Sequence, residues 1–267
     1  MKTDLHLQPI GIFDSGIGGV SVLGQAVSMM LNESFVYYGG SGVEPYALLS
    51  PSRGEARCLA ACDFLMAKGV KAIVVACNTA TAVAIDKLRK SYPVPILGME
   101  PAIKVAVGFN LPGKIVLMAT GMTLKSKAVA RLIDTYGNGF EIVKLGCRDL
   151  ITLVESGVIE GDPIERAIAV CFSRIDPAAV STIVLGCTHF GFLAPSIKIV
   201  LGDHIRIADG IVGTVRHLRI ILEQRGLISN RVDADPQIAI HNSGGVGYAE
   251  KSKIILSAHL AHLKSKI

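Results

Sequence analysis

Short, uninterrupted apolar runs alternate with helix-length segments along most of this chain. Ile10–Phe13, Phe35–Tyr38 and Ala72–Val75 carry no charged residue and no polar alternation. A strand with one face in water alternates apolar and polar residues, whereas a continuous apolar run is covered on both faces. Lys114–Met118, Glu141–Leu145, Thr182–Leu185 and Ile205–Ile207 extend the series, and Pro93–Gly98 adds a short member. Helical patterns fall between them, over Val20–Leu31, 53–68, Asn78–Lys90, Lys125–Tyr136, 163–175 and Val212–Arg225. Strands that alternate with helices predict an α/β fold built on mostly parallel sheets. The composition agrees: half the residues are apolar, 18% are charged, 28 are glycine and none is tryptophan. Small residues then stand where backbones approach. The tail 241–263 reads as a Gly-rich loop and a closing helix.

Length and charge exclude several classes. A chain of 267 residues makes one large domain or two smaller ones. Its apolar content is too high for general disorder, and six cysteines are too few for a disulfide scaffold. The net charge of +5 is mild, and no run of five like charges occurs, so no nucleic acid partner is expected. Ser15–Asn32 is uncharged for 18 residues but holds four glycines and three serines, and reads as turn plus helix rather than a membrane span. Lys2 is followed by Asp4, His6 and Gln8 rather than an apolar stretch, so no signal peptide is read. The expectation is a cytoplasmic protein, without membrane association, whose six cysteines are reduced.

A weak internal repeat points to the site. VVACNTA (74–80) and IVLGCTHF (183–190) each run from a strand into a cysteine and a polar residue, and Cys77 and Cys187 are 110 residues apart. The turns DSGIGG (14–19) and ATGMT (119–123) are offset by a similar distance. Two similar halves, closely packed with a cleft between, explain the repeat. Ligands of parallel sheets bind beyond the carboxyl ends of the strands, where both cysteines fall. A helix N-terminus there favours a thiolate and attracts a carboxylate. Two matched thiols suit removal of a proton from one face of a carbon and delivery to the other. The competing reading, a small buried hydrophobe, applies to Cys58, Cys62, Cys147 and Cys171. Cys58 and Cys62 lie one helical turn apart, but nothing completes a metal site. His189 is placed to act on Cys187 or to serve as a packing residue. Asp14 suits an Asx turn or cap, and Glu155 an ordinary helix carboxylate. Neither a Walker lysine, a GxGxxG loop nor a GxSxG elbow is present, so no nucleotide site is read.

Taken together, IGIFDSGIGGVSVL (10–23), VVACNTATAVAIDKLR (74–89), ATGMTLKS (119–126), LVESG (153–157) and IVLGCTHF (183–190) resemble, in order and spacing, the motifs of the glutamate racemases. These belong to the cofactor-independent aspartate/glutamate racemase superfamily. The resemblance runs from about Pro9 to Leu227. It implies two similar parallel-sheet α/β domains related by pseudo-twofold symmetry, with the active site in the cleft between them. The first would be 1–98 plus 208–267, the second 99–207. It implies interconversion of L- and D-glutamate without pyridoxal phosphate or metal, supplying D-glutamate for peptidoglycan. Cys77 and Cys187 would be the two acid–base thiols, assisted by Asp14 and His189 respectively, and Glu155 would be a further catalytic carboxylate. Ser15, Asn78, Thr79, Thr123 and Thr188 would hold the substrate, together with Pro45 and Tyr46. The partner would be a small amino acid; association as a homodimer is left open.

The chain departs from the family pattern in one segment. Where the family usually reads Gly-Asp-Thr-Ala-Arg before Pro-Tyr-Gly, this chain has Gly39, Gly40, Ser41, Gly42 and Val43, then Glu44, Pro45, Tyr46 and Ala47. Arg148 stands in place of a proline and Val129 in place of a tyrosine. These changes bear on substrate more than on fold. They leave two alternatives beside glutamate racemisation: a racemase of another amino acid such as aspartate, and a non-catalytic amino-acid-binding paralogue.

Overall fold

The computed structural model describes residues 4–42, 46, 49–232 and 235–265. The first strand, β1 (Ile10–Asp14), is buried at all five positions, as its apolar run requires. It is followed by α1 (Val20–Met29), β2 (Phe35–Gly39), α2 (Pro51–Ala67), β3 (Ala72–Val75), α3 (Asn78–Ser91) and β4 (Ile96–Gly98). Next come α4 (Ile103–Gly108), β5 (Lys114–Ala119), α5 (Gly121–Leu124), α6 (Lys127–Tyr136), β6 (Ile142–Gly146), α7 (Arg148–Ser156), α8 (Asp162–Cys171), β7 (Val180–Gly186), α9 (Ala194–Leu201) and β8 (Arg206–Asp209). The chain closes with α10 (Ile211–Gln224), β9 (Ile238–Asn242) and α11 (Val246–Lys264). Two compact units result: Met1–Met99 with Ile211–Ile267, and Glu100–Gly210.

Each unit contains one sheet, and every pairing is parallel. The first sheet has the order β4-β3-β1-β2-β9 and the second β6-β5-β7-β8. With strands numbered within each unit, both contain the order 2-1-3-4, and the first adds β9 at the edge beside β2. The internal repeat seen in the sequence is thus a repeat of topology. In both units the first strand pairs in parallel with the third, and successive strands are added on opposite sides of that pair. This is the switch point at which open α/β sheets bind ligands.

Local chemistry explains where the elements begin. Ser50 caps α2, its Oγ accepting from the Arg53 N–H, with Pro51 at the first helical position. The helix expected over Lys125–Tyr136 is α6, which Ser126 caps, and a short helix capped by Thr120, α5, precedes it. The strand expected from Pro93 begins only at Ile96, since Pro93 and Pro95 have no N–H to donate. Strand β9 has no counterpart in the sequence reading. It is an edge strand whose residues are half-buried or exposed, and its apolar stretch, 238–240, is short.

The side of the first unit away from the strand ends is tied by a buried ion pair. Lys71 Nζ lies 2.5 Å from Glu33 Oε2 and also donates to the His6 carbonyl. Glu33 Oε1 accepts from the Ser229 N–H, so the pair anchors the chain entering β9. Burial pulls the Lys71 pKa below its ordinary value, and the Glu33 carboxylate opposes that pull. Removing one partner of such a pair leaves an uncompensated buried charge, at a cost of about 3–5 kcal/mol. Lys71→Met or Glu33→Leu alone is expected to lose that much in denaturant unfolding. The double variant should recover most of it, and a double variant as unstable as the sum of the singles would count against the pair.

Candidate active site

In the first unit, the residues read from the sequence sit at the carboxyl ends of β1 and β3. Asp14 ends β1 and is fully buried, and its Oδ1 accepts from the Gly16 N–H at 2.9 Å. This is the Asx turn that the DSG sequence allows. Gly19 packs directly on Asp14: a Cβ there would come within 2.4 Å of the Asp14 Cβ, so the turn requires glycine at 19. The Tyr37 hydroxyl donates to the Gly16 carbonyl at 2.6 Å and fixes the same turn from β2.

Cys77 follows β3 and caps α3. Its sulfur accepts from the Ala80 N–H at 3.4 Å, and the Ser15 hydroxyl lies 3.1 Å from it. The helix terminus and the Ala80 N–H both favour negative charge on that sulfur. The next residue, Asn78, is 5% exposed, and neither its Nδ2 nor its Oδ1 has a hydrogen-bond partner. A buried amide left unpaired costs about 1–3 kcal/mol, so a donor–acceptor pair held open at a helix N-terminus marks a place for a polar ligand. Thr79 is buried alongside. Tyr46 is also buried, with the Arg57 guanidinium 4.8 Å from its ring centre. Burial first, then the charges of Cys58, Cys77 and Asp14, push the Tyr46 phenol up so that it stays protonated. The Cys58 thiol, pushed up by burial and by Cys77, hydrogen-bonds to Tyr46. Burial likewise holds Cys62 at about 12, so neither is an acid–base group near neutrality. Pro45 lies outside the described residues.

In the second unit, the residues read from the sequence gather at the carboxyl ends of β5 and β7. Cys187 follows β7 and precedes a 3-10 turn over Thr188–Leu193. His189 is within that turn and is buried, with Nδ1 3.5 Å from the Cys187 sulfur and Nε2 2.6 Å from Glu155 Oε1. Glu155 comes from the last turn of α7, so a carboxylate 34 residues away orients this imidazole. Burial opposes a charged His189. The Cys187 sulfur and the Glu155 carboxylate outweigh it and hold the ring well above its ordinary pKa. The protonated ring then donates from Nδ1 toward sulfur and from Nε2 to Glu155. Thr188 is buried beside Cys187. At the end of β5, the Thr120 hydroxyl donates to Thr123 Oγ1 and accepts from the Thr123 N–H.

Each unit therefore gathers its own share of the residues read from the sequence: Asp14, Ser15, Tyr46, Cys77, Asn78 and Thr79 in one, Thr123, Glu155, Cys187, Thr188 and His189 in the other. Two features correct or extend that reading. Cys147 and Cys171 are joined in a disulfide, not held as separate reduced packing residues. The spacing of 24 residues gave no sign of it, because the pairing depends on how α7 and α8 fold back on each other. The Tyr46–Cys58–Arg57 cluster was also not legible, since its contacts reach from α2 to a residue before it. No group of three metal-ligating side chains occurs among the described residues, and no described helix is long and apolar enough to cross a membrane.

The sequence profile described as Asp/Glu/Hydantoin racemase matches residues 28–218. A glutamate racemase of Clostridium botulinum strain Langeland is 43% identical over 259 residues, covering 96% of this chain and 98% of the relative. Among solved structures, Escherichia coli glutamate racemase in complex with L-glutamate and the activator UDP-MurNAc-ala matches with a TM-score of 0.81 at 28% identity, covering 94% of this chain and 95% of that one. Glutamate racemase from Francisella tularensis in complex with D-glutamate matches with a TM-score of 0.79 at 25% identity, covering 94% of each chain. This chain belongs to the Asp/Glu/hydantoin racemase family, and within it resembles the glutamate racemases.

Proposed function

We propose that the protein interconverts L- and D-glutamate, with Cys77 and Cys187 as the two acid–base groups. The observation that carries this reading is the equivalence of the two thiols. Each follows the third strand of the same 2-1-3-4 order, and each has a polar group on its sulfur. Racemisation inverts one carbon, so a proton leaves one face and another arrives at the opposite face. One thiolate takes the α-proton while the other thiol gives one; the opposite enantiomer reacts with the roles exchanged, and repeated turnover in one direction needs the pair to return its protons through solvent.

The surrounding groups have separable roles. The α-proton of an amino acid is far less acidic than a thiol, so the developing carbanion must be stabilised by fixed dipoles. The N-terminus of α3, with the open amide of Asn78 and the Thr79 hydroxyl, suits a substrate carboxylate. Ser15 and Asp14 support Cys77 from the turn after β1. His189, oriented by Glu155, supports Cys187. Thr123 and Thr188 supply hydroxyls on the second side, and Tyr46 borders the first. Such chemistry uses no cofactor, and its product fits the cytoplasmic supply of D-glutamate for peptidoglycan.

Two measurements test this reading. Racemisation assayed by polarimetry with glutamate and aspartate is expected to show glutamate turnover that falls by about 10²–10⁴-fold in Cys77→Ser and in Cys187→Ser. Near-normal turnover in either variant would refute the paired thiols, and turnover of aspartate alone would refute the substrate. The second measurement follows His189. A ring whose pKa is raised on folding contributes stability fully present below about pH 6.5, lost as pH rises through its folded value. Glu155→Gln should therefore lower the His189 titration seen by NMR. The stability gap between wild type and this variant should be larger near pH 6 than near pH 9; a gap that widens with pH would contradict the imidazolium–carboxylate pair.

A further inference from the structure

The helix that carries Glu155 is held at both ends. α7 and α8 follow one another and are in contact, and each buries two apolar residues, Leu150 and Val154 on one helix and Ile164 and Ile168 on the other. Between them, Gly157 and Gly161 both adopt positive φ, 98° and 84°, which closes the connection in a few residues. At the far ends, Cys147, the residue that caps α7, is bonded to Cys171, the last residue of α8. Cys147 is buried and Cys171 is part-exposed, so a small thiol or disulfide reaches the bond from the Cys171 side. Glu155 lies one residue from the end of α7, and its carboxylate makes the 2.6 Å contact to His189. Any shift of α7 along or about its axis is a shift of that carboxylate.

We propose that the Cys147–Cys171 disulfide is a reversible tether that positions Glu155 against His189, so that the redox state of this pair sets how well the Cys187 side of the site works. The inference rests on the acid–base role of His189 stated above. Disulfides in a reducing compartment are usually transient and redox-sensing rather than structural. The exchange balances with a low-molecular-weight disulfide of the glutathione type as oxidant. One protein thiol attacks it and releases one small thiol as a mixed disulfide forms. The second protein thiol then displaces the other small thiol. Two protein S–H bonds become one S–S bond, and the small disulfide is reduced to two thiols. Cys147 and Cys171 are positioning residues here, since neither touches His189 or Cys187.

The test compares the full-length protein equilibrated with oxidised or with reduced glutathione, with the Cys171→Ser variant in both. Peptide mapping is expected to find Cys147 linked to Cys171 in the oxidised sample only. On reduction kcat should fall by about 10- to 100-fold, the effect of misplacing a supporting group by a fraction of an ångström to an ångström, with KM little changed. The His189 ring should titrate at lower pH. Cys171→Ser should match the reduced wild type in both buffers. Absence of the linkage, or a linkage with the same kcat and the same His189 titration in both states, overturns the tether. The same glutathione response in Cys171→Ser would assign the effect to Cys77 or Cys187 and also overturn it. The His189 titration needs no substrate, so a tether that fails is distinguishable from a wrongly assigned reaction. The wild-type comparison stands even if the variant does not fold.

Discussion

Everything at this site depends on the pairing of a first strand with a third. β1 lies directly against β3, and β5 directly against β7. That pairing brings Asp14 and Ser15 to Cys77, and the Thr120–Thr123 turn to the strand that precedes Cys187. Both strands of each pair are buried along nearly their whole length, with apolar residues at most positions. At the end of β7, Gly186 has no room for a side chain, since a Cβ would meet the Ala119 Cβ at 2.9 Å. The core therefore does more than stabilise the units. It sets the distance between the groups that flank each sulfur.

The two half-sites reach similar ends by different chemistry. Cys77 is served by a helix N-terminus and a hydroxyl, both neutral groups with fixed dipoles. Cys187 is served by an imidazole that the half-buried Glu155 carboxylate keeps charged. Thus the same strand order can present two thiols of unlike surroundings, as a reaction with one base and one acid requires.

Much of this was legible in the sequence, for a physical reason. A buried parallel strand is written as an unbroken apolar run, so β1, β2, β3, β5 and β7 stand out. The turns that follow them must be glycine-rich or polar, so Asp14, Cys77 and Cys187 stand out as well. Family resemblance then attached Glu155, which by itself looks like a surface carboxylate and is in fact the partner of His189. The missing parts are those decided by tertiary packing alone. Edge strand β9 pairs only with β2, and its apolar stretch, 238–240, is short and only partly buried. The Cys147–Cys171 bond depends on the contact between α7 and α8. The unpaired amide of Asn78 is a property of burial, not of residue type.

The central claim is that two separate groups, each holding one proton, act on one carbon. It is tested most directly by running the reaction in D2O from each pure enantiomer of glutamate and stopping at low conversion. The account predicts deuterium at the α-carbon of the product enantiomer and almost none in the recovered substrate, in both directions. Deuterium appearing in recovered substrate as fast as in product would mean that one exchangeable base serves both faces, and the two-thiol account would be wrong.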